Sequence, residues 1–218
     1  MPTAKERNKT RTGDSSGRGP QNVLRSKNFG EGEELAGPVR GYIKLSQAEK
    51  AFNYDFRGKV VLDIGSSTGG FTKYALDHGA TRVIAIEKGT NQMETPLRFD
   101  PRIDLHEKTD IFNVRNLIPD VIVADVSFIS LTKILAHARD YLADRHTEFL
   151  VMLKPQFEAK PSELIKGVVK NEKIRREIIK NFETWLKNNH LVILNKRDNQ
   201  LKGKTGNTER FYLLKKGI

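Results

Sequence analysis

The stretch VVLDIGSSTGGFT, residues 60–72, combines an acidic residue with closely spaced glycines. Asp63 ends a β-branched run, and Gly65 follows two positions later. A dinucleotide site requires Gly-x-Gly-x-x-Gly, but position 67 is a serine here. A carboxylate would also repel a pyrophosphate, whereas it suits S-adenosylmethionine (SAM), which has an ammonium and a sulfonium. The stretch therefore favours a SAM site over a dehydrogenase site.

Two further acidic residues follow the next predicted strands. Glu87 closes the second strand and could accept hydrogen bonds from both ribose hydroxyls, and Asp110 follows the third strand and could accept one from the adenine amino group. Because parallel strands end at one edge of a sheet, these side chains are expected to lie together. The predicted cofactor-binding residues are Asp63, Gly65, Ser66, Ser67, Gly69, Gly70, Phe71, Glu87, Lys88, Asp110, Ile111 and Asp125.

Two features that the sequence lacks reduce the range of groups that could accept the methyl. There is no cysteine, which excludes covalent methylation of cytosine C5. The sequence after the fourth predicted strand, DVSF at 125–128, lacks the prolines typical of enzymes that methylate base amino groups. A ribose hydroxyl remains, and a desolvated lysine beside another cation could activate it. Lys154 ends the fifth predicted strand, where a solvated lysine without a catalytic role is an equally valid interpretation.

Apolar runs and helical periodicity alternate along the chain and predict an α/β fold. We expect a Rossmann-like class I SAM-dependent methyltransferase with a mostly parallel seven-stranded sheet, an antiparallel edge strand and helices on both faces. The predicted strands cover 59–64, 82–87, 103–107, 121–125, 148–153, 191–195 and 210–216. The predicted helices begin near a capping box at Ser46-x-x-Glu49 and cover 70–77, a short piece near 90–98, a stripe from Ser130 to Leu142, and the segment around 174–186. Residues 155–170 are predicted to form a polar loop.

Composition and charge favour a nucleic-acid partner. The net charge is +11, and the first 30 residues hold seven Lys and Arg against Glu6 and Asp14. We predict two parts, a basic disordered arm at 1–36 and the methyltransferase domain at 37–218. No run of 18 apolar residues and no secretory signal occur, so a cytoplasmic location with no membrane partner is expected. The five histidines lack ligand spacing, so no metal is predicted.

Residues 37–218 resemble the methyltransferase domain of the hemolysin A (TlyA) family, which are ribosomal RNA 2′-O-methyltransferases of the FtsJ type. The resemblance rests on VRGYIKL (39–45), VVLDIGSSTGGFT (60–72), DVSFISL (125–131), LKPQFE (153–158), KGVV (166–169) and GNTERFYLLKK (206–216). It implies SAM as cofactor and RNA, in ribosomal RNA or ribosomal subunits, as partner. It also implies a catalytic tetrad of Lys44, Asp125, Lys154 and Glu209.

The resemblance implies a role for each residue. Lys154 would activate the 2′-hydroxyl and Asp125 would orient Lys154 near the methyl donor, while Lys44 and Glu209 would complete the charge network. The chain departs from the family twice. Residues 1–36 are too short and polar for the usual N-terminal S4 RNA-binding domain, and Tyr42 replaces a glycine of the usual SRGG. The basic arm would then provide phosphate contacts instead.

Two other functions stay open at this point. A methyltransferase fold could serve only to bind RNA, in which case methyl transfer is lost and RNA affinity is kept. A pore-forming hemolysin, suggested by the family name, is disfavoured because no apolar span and no strongly amphipathic basic helix are present. The oligomeric state is not predicted.

Overall fold

The computed structural model describes residues 39–217, which form a seven-stranded mixed sheet with the order β3-β2-β1-β4-β5-β7-β6. Strands β1 to β5 are mutually parallel where they pair, and β7 is antiparallel to both β5 and β6. The predicted mostly parallel sheet is confirmed. The antiparallel strand, β7, is the second from the edge, and β6 forms the edge itself. The strands are β1 Val60–Ile64, β2 Arg82–Ile86, β3 Ile103–His106, β4 Val121–Ala124, β5 Glu148–Leu153, β6 Leu191–Asp198 and β7 Arg210–Lys216.

Helices cover both faces of this sheet, because successive strand residues alternate between two apolar clusters. Leu62 belongs to the cluster that also contains the apolar side chains of α4 and α6, and Val61 belongs to the cluster with those of α1 and α2. The helices are α1 Arg40–Phe52, α2 Gly70–Asp77, α3 Thr95–Arg98, α4 Leu131–Tyr141, α5 Pro155–Glu158 and α6 Glu172–Asn188.

Several local predictions were wrong. The helix α1 begins at Arg40, so Ser46 lies inside it and donates a hydrogen bond to the Ile43 carbonyl (3.0 Å) rather than capping an end. The segment predicted as a loop at 155–170 contains α5, and the helix near 90–98 is limited to α3. Strand β6 extends to Asp198 because its polar end pairs with β7.

Helices α1 and α2 approach each other closely at two glycines. A Cβ on Gly70 would lie 2.9 Å from the Gly41 Cα and 2.9 Å from the Tyr42 backbone nitrogen. Such distances leave no room for a side chain on Gly70. The helix that contains Lys44 is thereby packed directly on the helix that follows the glycine-rich loop.

Within residues 39–217, no helix is long and apolar enough to cross a membrane. The same part of the chain contains no group of three or more His, Asp or Glu side chains arranged to hold a metal ion. The predicted arm at 1–36 lies outside the described residues.

Candidate active site

The loop between β1 and α2 turns sharply through residues with positive φ. Gly65 has φ +80°, Ser67 +49° and Gly69 +91°. The Gly65 and Ser66 amides donate to the Ile86 carbonyl at 2.8 and 3.2 Å, which fixes the loop against the end of β2. The φ of +91° at Gly69 favours glycine, and a Cβ there would also lie 2.5 Å from Leu97 Cδ1, so the Leu97 side chain would have to move.

Asp63 lies beneath this loop and is 1% exposed. Its Oδ2 accepts a hydrogen bond from Thr72 Oγ1 at 2.7 Å, which links β1 to α2. Burial raises the pKa of Asp63 to about 7, while the hydrogen bond from Thr72 acts in the opposite direction. The carboxylate has no cationic partner among the described residues, so a cationic ligand would relieve part of the cost of burying it.

Glu87 is held at the end of β2 by two backbone donors. Its Oε2 accepts from the Ser67 amide at 2.9 Å and its Oε1 from the Gly89 amide at 2.6 Å. Each oxygen keeps a further acceptor site. The carboxylate is therefore fixed in orientation and still able to accept from two hydroxyls, as a ribose-binding residue requires.

Lys88 and Asp110 form an ion pair, and Asp110 also caps the short helix that follows it. Lys88 Nζ lies 2.9 Å from Asp110 Oδ2, and this hydrogen bond lowers the pKa of Asp110. Asp110 Oδ1 also accepts from the Phe112 amide at 3.1 Å and so caps the short 3-10 helix Ile111–Asn113. Ile111 is buried in the apolar cluster beneath.

Ser66, Phe71 and Gly70, which were also predicted to bind the cofactor, differ in what they leave available to a ligand. Ser66 is 4% exposed, and its buried Oγ has no hydrogen-bond partner among the described residues, which fits a ligand that supplies one. The Phe71 ring is buried and stacks on Phe211 at 6.2 Å between centroids, so only its backbone is left for a ligand. Gly70 packs on Gly41 of α1.

The tetrad predicted by family resemblance is assembled as a chain of alternating charges. Lys154 Nζ lies 2.7 Å from Asp125 Oδ1, Lys44 Nζ lies 3.2 Å from Asp125 Oδ2, and Lys44 Nζ lies 2.8 Å from Glu209 Oε2. Lys44, Lys154 and Glu209 are 4%, 8% and 2% exposed. Two lysines and two carboxylates compensate one another, which makes their burial tolerable.

Four separate elements supply these residues. Asp125 and Lys154 directly follow β4 and β5, and Lys44 lies on α1. Glu209 precedes β7, whose first residue Arg210 pairs with Leu153 at the end of β5. All four side chains therefore meet at the carboxyl edge of the parallel strands, which also holds the loop after β1.

The Lys154 amine has three oxygen neighbours. Besides the Asp125 carboxylate it donates to the Asp125 carbonyl at 3.2 Å and to Ser127 Oγ at 2.9 Å. These acceptors match the three protons of an ammonium. The Ser127 hydroxyl is exposed and is the one neighbour that could also donate, so it could pair with either protonation state of Lys154.

The residue-by-residue reasoning missed an aromatic pair beside Lys154, made of an exposed Phe128 and a half-buried Phe157. Phe128 is 93% exposed with φ +64°, and its ring centroid lies 5.3 Å from that of Phe157. The Phe157 ring centre lies 5.9 Å from Lys154 Nζ. The only available signal was an aromatic residue next to a serine, Phe128 after Ser127, in a predicted loop. Whether the ring is buried or exposed could not be inferred from it.

Glu158 joins helix α5, which contains Phe157, to the loop that contains Phe128. Its carboxylate accepts from Ser130 Oγ at 2.6 Å and from the Leu131 amide at 2.7 Å, at the start of α4. Burial raises the pKa of Glu158, opposed by these two hydrogen bonds. The contact fixes the segment after Asp125 against the segment after Lys154.

Comparison with known proteins identifies the family of this chain. The FtsJ-like methyltransferase family model matches residues 38–216. Hemolysin A of Brachyspira hyodysenteriae is 38% identical over 175 residues, 76% of this chain and 71% of that protein. The Mycobacterium tuberculosis 16S/23S rRNA (cytidine-2′-O)-methyltransferase TlyA is 35% identical over 190 residues, 84% of this chain and 69% of that protein.

A solved structure of a candidate hemolysin from Streptococcus thermophilus is 31% identical and superposes with a TM-score of 0.79, covering 86% of this chain and 70% of that one. The similarity thus extends from the glycine-rich loop to the last strand. The chain belongs to the FtsJ-like methyltransferase family and is a SAM-dependent methyltransferase.

Proposed function

We propose that this chain transfers the methyl group of SAM to a ribose 2′-hydroxyl of RNA, and specifically of ribosomal RNA in the cytoplasm. The observation that supports it most is the buried ion chain Lys154–Asp125–Lys44–Glu209 at the edge of the sheet that also holds the glycine-rich loop. The relative from Mycobacterium tuberculosis, which is named as an rRNA (cytidine-2′-O)-methyltransferase, supports the same acceptor.

The loop after β1 and the ends of the neighbouring strands would hold SAM. Asp63 provides negative charge beneath the loop, Ser66 a buried hydroxyl, and Glu87 two fixed oxygens for the ribose. Asp110 and Ile111 would lie against the adenine. When bound, SAM supplies the electrophilic methyl group.

Lys154 would act on the 2′-hydroxyl. As an ammonium it would orient the hydroxyl oxygen by donating to it the proton that otherwise points to the exposed Ser127, and as a neutral amine it would accept the hydroxyl proton. Ser127 could support both states, because a hydroxyl either accepts from or donates to the amine. Asp125 holds Lys154 in place, and Lys44 and Glu209 keep the cluster neutral and rigid.

Phe128 would stack on a base of the bound RNA, because an aromatic ring fixed in the solvent beside the reactive amine offers a flat surface to an unpaired base. Phe128→Leu is expected to weaken RNA binding roughly tenfold, in line with the usual loss of one stacked base. The control is Phe99→Leu. Phe99 is also exposed, but it precedes β3 and so lies at the amino ends of the parallel strands, whereas Phe128 follows β4 at their carboxyl ends. Equal effects of both substitutions would refute the stacking role.

The test of the whole proposal uses labelled SAM with small-subunit RNA, large-subunit RNA and intact ribosomal subunits. We expect label in RNA at a position that resists alkaline cleavage, because a 2′-O-methyl group blocks the attack that breaks the chain. RNA binding without label would indicate a binding protein on a methyltransferase fold. Label that leaves the RNA sensitive to alkali at that position would exclude the 2′-oxygen as acceptor.

A further inference from the structure

A cavity of about 330 Å³ lies between the start of α6 and the loop before β7. Pro155 and Thr208 are among its lining residues. Pro155 follows Lys154 in the chain and Thr208 precedes Glu209, so the cavity adjoins the tetrad on two segments. The proposed roles of the tetrad and of the SAM loop do not involve this cavity.

The lining of the cavity is predominantly cationic. Lys170, Arg175 and Lys202 contribute three positive charges against one carboxylate, that of Glu172. The 17-residue helix α6 also begins here; the Asn171 side chain accepts from its Lys173 and Ile174 amides, so the helix contributes its positive dipole end rather than these amides. This combination favours an anion with several oxygens.

Arg175 is the buried member of this set, at 8% exposed. Its Nη2 donates to Asp198 Oδ1 at 2.8 Å and its Nε to the Thr208 carbonyl at 3.4 Å. Asp198 is shared with Arg210, whose Nε lies 2.6 Å away. The Nη1 of Arg175 makes no hydrogen bond with any residue in the described part of the chain, so a strong donor group remains for a ligand.

The two loops around the cavity are held together by Asn207, which is 2% exposed. Its Oδ1 accepts from the Val169 amide at 3.0 Å, and its Nδ2 donates to the Gly167 carbonyl at 3.0 Å. The backbone before Lys170 is therefore tied to the loop that contains Lys202 before any ligand arrives, while the two lysine side chains are exposed. Such preorganisation lowers the entropic cost of binding.

We propose that this cavity binds the RNA phosphate on the 3′ side of the methylated ribose. The inference rests on the proposed function, because in RNA the 3′-phosphate is attached to the carbon next to the one with the 2′-hydroxyl. A ribose whose 2′-hydroxyl reaches Lys154 must place that phosphate within a few ångströms. The adjoining cavity with three cations and a helix N-terminus is suited to receive it.

The test compares the wild-type protein with a Lys170→Gln/Lys202→Gln double variant, in which Arg175 is kept because its ion pair supports the fold. We measure RNA affinity over a series of salt concentrations, using ribosomal RNA. Loss of one phosphate contact should lower the slope of log affinity against log salt by about 0.7 for a single strand. We also expect single-turnover methylation at saturating RNA to fall, because the phosphate lies beside the reacting sugar.

Two exposed lysines further along α6 provide the control. Lys180→Gln/Lys187→Gln removes the same charge from exposed positions further along α6, toward the end that leads into the start of β6. An unchanged slope in the cavity variant, or an equal change in the control, would overturn the phosphate site. SAM affinity should be equal in all three proteins. If the wild-type protein itself neither binds nor methylates RNA, the proposed function has failed, which is a different result from failure of the cavity variant alone.

Discussion

The SAM loop and the tetrad lie at the same edge of the sheet, but they differ in whether their carboxylates are paired with cations. Asp63 and Glu87 are held by a hydroxyl and by backbone amides, with no cation in contact among the described residues. Asp125 is paired with two lysines at 2.7 and 3.2 Å, and Glu209 is paired with one at 2.8 Å. The first region is left electrostatically unbalanced, which suits a positively charged ligand, and the second is balanced before any substrate binds.

Because of this difference, we expect one region to determine SAM affinity and the other to determine the rate of methyl transfer. A site with uncompensated negative charge gains from the arrival of a cation, so its residues should determine SAM affinity. A compensated cluster is preorganised and gains little from a ligand, so its residues should determine the rate of methyl transfer.

Substitution of Lys154 should give the largest effect and should act on rate alone. Lys154→Ala removes the group that contacts the hydroxyl, and Lys154→Arg introduces a larger group that hardly deprotonates. We expect single-turnover methylation to fall by at least about a hundredfold in both, with unchanged SAM affinity. Lys180→Ala, on an exposed position of α6, is the matched control. Near-normal turnover by Lys154→Ala with a confirmed 2′-O product would contradict the mechanism.

Substitution of Glu87 should give the converse result. Glu87→Ala removes two acceptors for the ribose hydroxyls and is expected to weaken SAM binding about tenfold or more, measured by calorimetry. The rate at saturating SAM should change far less. Glu177→Ala, in the exposed part of α6, is the control. Unaltered SAM affinity would remove Glu87 from the cofactor site.

The pH dependence of SAM binding should sharpen the comparison further. Because the pKa of Asp63 is raised to about 7, a cationic ligand should bind several-fold more tightly at about pH 8 than at about pH 6. Without ligand, the folded protein holds this proton more tightly than the unfolded chain. The stabilising contribution is therefore complete below the ordinary pKa of an aspartate and is lost as the pH rises through about 7. Asp63→Asn should abolish both dependences, and persistence of either would assign it to another group.

Deletion of residues 1–30 should have the smallest effect on both regions. It removes seven cations, so we expect a flatter salt dependence of RNA binding. SAM affinity and the rate at saturating RNA should stay the same. A loss of folding, seen as a lowered melting temperature, would show that the boundary proposed at residue 36 is wrong.

The sequence was most informative where local chemistry decides the structure. The loop after Asp63 could be predicted because glycines at 65 and 69 meet backbone requirements that lie within a few residues. The tetrad could not be derived in this way, since Lys44 and Glu209 are 165 positions apart and meet only through the sheet order. Resemblance to a family proposed their association, and the sheet topology explains it.

Errors arose where tertiary contacts replaced local signals. The stripe predicted from Ser130 to Leu142 includes Tyr141, which is not buried in the core: it is 48% exposed, and the Arg115 guanidinium lies 3.9 Å from its ring centre. The start of α1 was missed because Val39 caps it without a side-chain hydrogen bond. The polar end of β6 is a strand only because β7 supplies its hydrogen bonds.

The contact of Gly41 with Gly70 has a consequence for inhibition. Lys44 lies one helical turn beyond Gly41 on α1, and Gly70 begins α2 directly after the glycine-rich loop. Separation of these helices by the width of one methyl group would therefore move Lys44 relative to its carboxylates. An inhibitor that acted on this contact would not have to resemble SAM, the cofactor that other methyltransferases share.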